Sequence, residues 1–109
     1  MGKRRPAHPD PPQIRTLHGS FADEELDLHG MSGEEAERRV RLFIDRRART
    51  EPGGVVRVIT GKGRGSPGAP VLRQRLLDLL NGELRRYVDD WAGEPGGGSF
   101  LVRVKDIGR

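Results

Sequence analysis

The sequence predicts a small α/β domain, a two-layer sandwich in which two helices pack on a short mixed sheet in the order βαβαββ. Leu26 and Leu28 alternate with polar residues, as they do in a half-buried strand. Residues 55–59 (VVRVI) form a nearly continuous β-branched run, which is typical of a central strand. Apolar residues at helical spacing separate the two runs. This strand–helix–strand unit implies a parallel pair with a right-handed crossover.

Length and composition point to one domain and exclude several classes of protein. The chain has 109 residues, of which 33% are hydrophobic and 33% are charged. No run approaches the ~18 apolar residues of a membrane-spanning helix. The absence of cysteine excludes disulfide scaffolds, thiolate zinc sites and cysteine nucleophiles. The basic N-terminus lacks the apolar stretch of a secretory signal, so we expect a cytoplasmic protein with no membrane partner.

Residues 1–22 are predicted to form a flexible, basic, proline-rich arm, which leaves residues 23–109 as the folded domain. Four of the 8 prolines fall in this arm. The arm also carries most of the formal net charge of +4. It could contact nucleic acid or serve only as a solubilising tail.

The first half of the domain contains clear boundary signals. The strand at residues 25–29 ends at Gly30. Ser32 and Glu35 have the spacing of a capping box, and the helix behind them ends near Thr50. The apolar face of that helix comprises Ala36, Val40, Phe43, Ile44 and Ala48.

The second half is predicted to add a helix and two strands. Pro70 suits the first position of the helix, and Gly82 suits its C-terminal cap. Residues 84–91 fit a short strand or an irregular edge, and residues 99–105 fit a final strand. The leucines of the helix face are Leu72, Leu76, Leu79 and Leu80, and the final strand places Phe100, Val102 and Val104 on one side.

The first candidate site is the pair Asp27 and His29. Positions two apart on a strand point the same way, and these two lie at the carboxyl end, where α/β sheets usually bind ligands. A carboxylate beside an imidazole can orient the ring for general acid or base catalysis. A surface pair, or a cap for the following helix, is the simpler interpretation.

The second candidate site is the glycine-rich segment at residues 60–68, between a strand and a helix. Its backbone N–H groups could close around a phosphate beside a helix N-terminus. No acidic residue lies between Glu51 and Asp78, and that window holds five cations. The predicted phosphate-binding residues are Gly61, Lys62, Gly63, Arg64 and Arg73.

Two other interpretations of this segment remain open. The loop could be a plain flexible connection, and Glu34, Glu35 or Asp78 could balance the cations in space. The GxGxxG pattern does not indicate a dinucleotide site, because Pro67 interrupts it and the loop follows the second strand. A triphosphate-binding P-loop is excluded because no GK[ST] is present.

A metal ion is weakly supported by the sequence. Asp27 and His29 are the only obvious ligands in the domain, which is too few for a closed site. We therefore assign no cofactor, and leave open a divalent ion such as Mg²⁺ or Mn²⁺.

Together these motifs resemble the Smr (small MutS-related) domain over roughly residues 24–105. The resemblance rests on LDLHG at residues 26–30, VVRVITGKG at residues 55–63 and GGGSFLVRV at residues 96–104. The segment at residues 60–73 resembles the stand-alone bacterial members in particular.

The resemblance implies a fold like the C-terminal domain of bacterial translation initiation factor three, and nucleic-acid binding with endonuclease activity in several members. One stand-alone member cleaves mRNA on collided ribosomes. Asp27 and His29 match the family's DLH motif, which is tied to cleavage, and Gly61, Lys62 and Gly63 match its glycine loop. Thr60 stands where many members carry histidine.

The leading hypothesis is therefore an endonuclease acting on DNA or RNA, with His29 as general acid or base and Asp27 orienting it. The alternative is a non-catalytic module that binds nucleic acid or the ribosome. A third hypothesis is a protein-interaction domain that uses the helix at residues 33–50. We expect a monomer in each case.

Overall fold

The computed structural model describes residues 21–61 and 68–106, and within them it confirms the predicted mixed sheet with two helices. The elements in chain order are β1 (Glu24–Asp27), α1 (Gly33–Thr50), β2 (Val55–Ile59), α2 (Ala69–Asn81), a 3₁₀ helix (Arg85–Tyr87), β3 (Val88–Gly93) and β4 (Ser99–Val104). The predicted arm at residues 1–22 lies outside the described residues except for Phe21 and Ala22.

The sheet has the strand order β1-β2-β4-β3. β1 and β2 are parallel, as the strand–helix–strand unit predicts, and β4 runs antiparallel to both of its neighbours. β2 is an interior strand, as predicted; its Val56 and Val58 are buried in the main core, while Arg57 and Ile59 alternate with them and are only partly buried. Two strands separate β1 from β3, so these two form the edges.

Both helices begin and end near the predicted residues. The Ser32 hydroxyl accepts the backbone N–H of Glu35 at 3.2 Å, which confirms one half of the capping box. α2 begins at Ala69, one residue before the proline predicted to start it. Gly68 precedes it with φ +79°, a left-handed conformation that glycine adopts without strain. The Gly82 N–H bonds the carbonyl of Leu79 at 3.2 Å and closes the helix.

The main core lies between one face of the sheet and the two helices. The apolar positions predicted to face inward on the two helices and on β4 are buried there with Leu28, and Leu26 is partly buried against them. A much smaller cluster on the opposite face contains Val55, Ala92 and Leu101, with Ala22 packed against it. No helix among the described residues covers this second face, so the protein has two layers.

The short strand or irregular edge predicted at residues 84–91 is present, with shifted bounds. It begins with a 3₁₀ turn and continues as β3 to Gly93. The pairing with β4 shifts between Val88 and Asp90, which marks a bulge. A bulge places an extra residue in one strand, so the two-residue alternation that identifies strands is lost there. Trp91 still packs edge-on against Phe100, with ring centroids 5.7 Å apart.

A buried arginine joins α1 to the beginning of the sheet. Arg47 donates to Glu24 Oε1 at 3.2 Å and to Asp23 Oδ2 at 3.5 Å, and Asp23 also accepts the backbone N–H of Val55. Arg46 donates to the second oxygen of Glu24 at 2.9 Å. These contacts lie at the end of the sheet opposite the carboxyl ends of β1 and β2, so we assign them a role in stability.

This arrangement predicts a loss of stability in acid. The hydrogen bond from Arg46, and to a lesser extent Arg47, lowers the pKa of Glu24 below its usual value of 4.5, although burial opposes the shift. The stabilisation is therefore fully present above pH 4.5 and is lost as the pH falls through the lowered pKa. Urea unfolding at pH 7 and pH 3 should show a smaller pH-dependent loss in Glu24→Gln than in the wild type. Glu51→Gln, an exposed control, should behave as the wild type does.

Candidate nucleic-acid site

The carboxyl ends of β1 and β2 meet at one edge of the sheet. Asp27 pairs with Ile59 in parallel register, and the N–H of Leu28 bonds the carbonyl of Ile59 at 2.8 Å. His29 and Gly61 follow directly after these paired residues. The two candidate segments therefore leave the sheet side by side, as the parallel pairing predicts.

Asp27 binds the backbone of His29 and not its ring. The Oδ1 atom of Asp27 accepts the backbone N–H of His29 at 3.0 Å. The Nδ1 atom of the ring lies 3.7 Å from the same oxygen, which is longer than a hydrogen bond. The two side chains are 42% and 53% exposed, so the imidazole is accessible to a ligand. The Asp27 carboxylate thus holds the backbone of His29, from which the side chain extends. The orientation of the ring depends on the side-chain torsions of His29.

Thr60 and Gly61 are anchored to the turn that connects β3 with β4. Both backbone N–H groups bond the carbonyl of Gly98, at 2.8 Å and 3.2 Å, and the Thr60 hydroxyl donates to the same oxygen at 3.4 Å. Both residues are buried. The Gly61 amide, a predicted phosphate ligand, is thus engaged within the protein, and its place is at the start of the loop. Thr60, which stands where many members of the resembled family carry histidine, makes a structural contact here.

Arg73 reaches the same turn from α2. Its Nη1 atom donates to the carbonyl of Gly97 at 3.1 Å, and its guanidinium stacks on the Phe100 ring, 4.8 Å from the centroid. Within residues 21–61 and 68–106 it has no carboxylate partner. Its positive charge therefore remains uncompensated by the described residues next to the turn that anchors Gly61.

Two other cations of the predicted basic window are paired. Arg57 donates twice to Glu94, at 2.7 Å and 3.0 Å, and once to Glu25 at 2.7 Å. These hydrogen bonds, above all the two that Glu94 accepts, raise the pKa of Arg57 above its usual range. Arg75 donates to Glu37 at 2.7 Å. The partners of these two arginines are not Glu34, Glu35 or Asp78, the carboxylates considered in the sequence. The prediction that carboxylates distant in sequence balance the cations is confirmed for Arg57 and Arg75.

The remaining predicted residues, Lys62, Gly63 and Arg64, lie outside the described residues. Their roles stay predictions from the sequence.

The face of the sheet away from the helices bears a groove beside the candidate pair. It has a volume of about 310 Å³ and lies next to Ile59, at the turn between β3 and β4. Sequence analysis missed this turn as part of the site, although its three consecutive glycines were visible. A glycine run alone does not reveal that its carbonyls anchor another loop.

Searches for other kinds of site give two findings for the described part of the chain. No group of three or more histidine, cysteine, aspartate or glutamate side chains gathers there to hold a metal ion. No helix there has the length and apolar character needed to span a bilayer.

Comparison with known proteins adds one match. A family model described as the Smr domain matches residues 26–105 of the 109-residue chain. The match covers every strand and helix described above except the first two residues of β1. None of the curated proteins searched matches the sequence.

Proposed function

Because the chain belongs to the Smr domain family, we propose that it is a nucleic-acid-binding endonuclease that cuts phosphodiester backbones with His29 and Asp27. One observation carries the proposal. An accessible imidazole lies at the same sheet edge as Gly61, which begins the glycine-rich segment, and an arginine with no described carboxylate partner binds the adjoining turn. Hydrogen bonds connect this edge with Arg73. Leu28, the residue before His29, bonds Ile59, Gly61 bonds the β3–β4 turn, and Arg73 bonds the same turn. Proton-transfer and phosphate-binding groups at one edge suit phosphodiester cleavage.

On RNA, the substrate can supply its own nucleophile. The His29 ring accepts the proton of a 2′-hydroxyl as that oxygen attacks the adjacent phosphorus. The bond from phosphorus to the 5′-oxygen then breaks, and a proton returns from the imidazolium to the leaving oxygen. The products are a 2′,3′-cyclic phosphate and a 5′-hydroxyl. On DNA, which has no 2′-hydroxyl, a water molecule would be the nucleophile.

The other residues hold the reacting groups in place. Asp27 fixes the backbone of His29 through the 3.0 Å bond to its N–H. Arg73 would contact a phosphate oxygen with the part of its guanidinium that does not bind Gly97. Lys62 and Arg64 would add charge from the loop. A divalent ion such as Mg²⁺ or Mn²⁺ would supply further charge to the phosphate, and Asp27 is the residue that would assist it, since His29 is needed for proton transfer.

A second candidate function is binding of nucleic acid or the ribosome without cleavage. The 3.7 Å gap between the ring and the carboxylate favours it, because the carboxylate does not orient the imidazole at that distance. The two functions differ in one result, the formation of a product.

The deciding experiment incubates the purified protein with single- and double-stranded RNA and DNA, with EDTA or with added Mg²⁺ or Mn²⁺. We expect cleavage of at least one substrate. A cyclic phosphate at the new 3′ end would identify RNA transesterification. Salt-sensitive binding with no product under any condition would support the non-catalytic module instead.

Binding should depend on Arg73 more than on its helical neighbour Arg75. Arg73→Gln removes a charge with no described carboxylate partner, so the slope of log affinity against log salt should fall by about 0.7–0.9, one phosphate contact. Arg75→Gln is the matched control, because Glu37 already neutralises that side chain. Fluorescence anisotropy with a labelled oligonucleotide between 50 and 200 mM salt measures both slopes. Equal slopes for the two variants would contradict the assignment of Arg73.

A further inference from the structure

The groove on the open face lies in line with the candidate pair. Asp27, Ile59 and Ser99 are neighbours across β1, β2 and β4, and their side chains share the face away from the helices. The groove opens beside Ile59 toward the β3–β4 turn, where Pro95 and Gly96 form its far wall. Its volume of about 310 Å³ lies at the lower end of the range of small-ligand sites, about 300–1,000 Å³.

The described walls of the groove do not suit an anion. The one cation that the described residues place in its lining, Arg57, is held by two carboxylates, those of Glu94 and Glu25. The Ser99 hydroxyl also donates to Glu94, at 2.5 Å. The described charged groups around this wall therefore carry no excess of positive charge. A phosphate would have to compete with two carboxylates for Arg57, whereas an uncharged ligand does not have to displace this ion pair.

The shape and surface of the groove suit a flat, uncharged ring. Ile59 and Pro95 provide apolar surface, and three lining positions, Gly61, Gly96 and Gly98, have no side chain. Gly96 has φ +94°, and a Cβ placed on it would have no atom of the described residues within 4 Å, so that part of the turn is open.

We propose that this groove binds the base of the nucleotide next to the phosphate handled by His29, in an unpaired strand. This proposal rests on the proposed function, from which it takes nucleic acid as the substrate. A base can enter only if it is unstacked and unpaired, so the groove would favour single-stranded nucleic acid over duplex. Because it lacks an aromatic platform, it would accept several bases with weak sequence preference.

The first test measures binding without cleavage. The ¹⁵N-labelled protein is titrated with adenosine or cytidine, which carry a base and no phosphate, and separately with ribose 5-phosphate, which carries a phosphate and no base. We expect the nucleosides at millimolar concentration to shift the amide signals of Ile59, Gly61, Gly98 and Ser99, and ribose 5-phosphate to leave them in place. No shift with either nucleoside, or shifts with ribose 5-phosphate alone, would overturn the proposal.

A groove-filling variant makes the test specific. Ile59→Trp should fill the space and weaken nucleoside binding at least about tenfold, the equivalent of 1.4 kcal/mol. Leu42→Trp, on the exposed surface of α1, is the control and should bind as the wild type does. The spectrum of each variant reports whether it is folded. If folded Ile59→Trp binds nucleosides as the wild type does, the groove is not the site.

Oligonucleotides with one abasic position connect the groove to the reaction and do not depend on a variant. Removal of the base beside the cut should lower kcat/KM at least about tenfold, and removal of a base farther away should have little effect. Equal effects at every position would overturn the proposal. Nucleoside shifts in a protein that cleaves nothing would refute the endonuclease and leave the groove assigned. Cleavage without any nucleoside shift would support the endonuclease and refute the assignment of the groove.

Discussion

Replacement of His29 by alanine is expected to lower the cleavage rate by about 10²–10⁴-fold, the usual contribution of a general acid or base. Nucleic-acid affinity should change little, because the half-exposed ring makes no contact that the fold needs. Single-turnover cleavage and equilibrium binding on the same oligonucleotide separate the two effects. If His29→Ala cleaves as fast as the wild type, His29 is not the proton-transfer group.

Two substitutions of Asp27 serve as the companion to this experiment. Asp27→Asn keeps an oxygen that can accept the backbone N–H of His29, but it removes the charge. Asp27→Ala removes both. If Asp27 acts by fixing the backbone, the asparagine variant should retain most of the activity that the alanine variant loses. Equal loss in both variants would show that the charge itself is required.

Replacement of Phe100 by alanine is expected to lower the free energy of unfolding by about 3–5 kcal/mol. The ring is fully buried and contacts Trp91 on one side and the Arg73 guanidinium on the other. A small domain has about 5–15 kcal/mol in total, so this one substitution removes a large part of its stability. Urea unfolding followed by circular dichroism provides the measurement.

Phe21→Ala is the matched control, because that ring is 93% exposed. It should change the free energy of unfolding by less than about 0.5 kcal/mol, as surface substitutions usually do. A small effect at Phe100, similar to that at Phe21, would mean that the core between the sheet and α2 is not packed as described.

Most of the fold could be predicted because local signals and tertiary packing agree. The Ser32 cap, the alternation around Leu28 and the apolar run of β2 each have a local cause and a matching place in the structure. β3 was harder to predict, because the bulge between Val88 and Asp90 disrupts the period by which a strand is identified.

Only the proximity of the two candidate segments could be predicted from the order of strands and helices. Because β1 and β2 pair in parallel, His29 and Gly61 follow them at the same edge of the sheet. Charge balance was not predictable, since Glu94 lies 37 residues beyond Arg57 in sequence. The contacts of Asp27 with a backbone N–H and of Arg73 with a carbonyl depend on turn geometry and side-chain torsions, which residue spacing does not specify.

The strand order has a consequence for biosynthesis. β4 is made after the other three strands, yet it lies between β2 and β3. Until Ser99–Val104 has left the ribosome, β3 has no partner strand and one side of β2 exposes unpaired backbone groups. A nascent chain that stalls before this point therefore carries two open strands, so the sheet can close only late in translation.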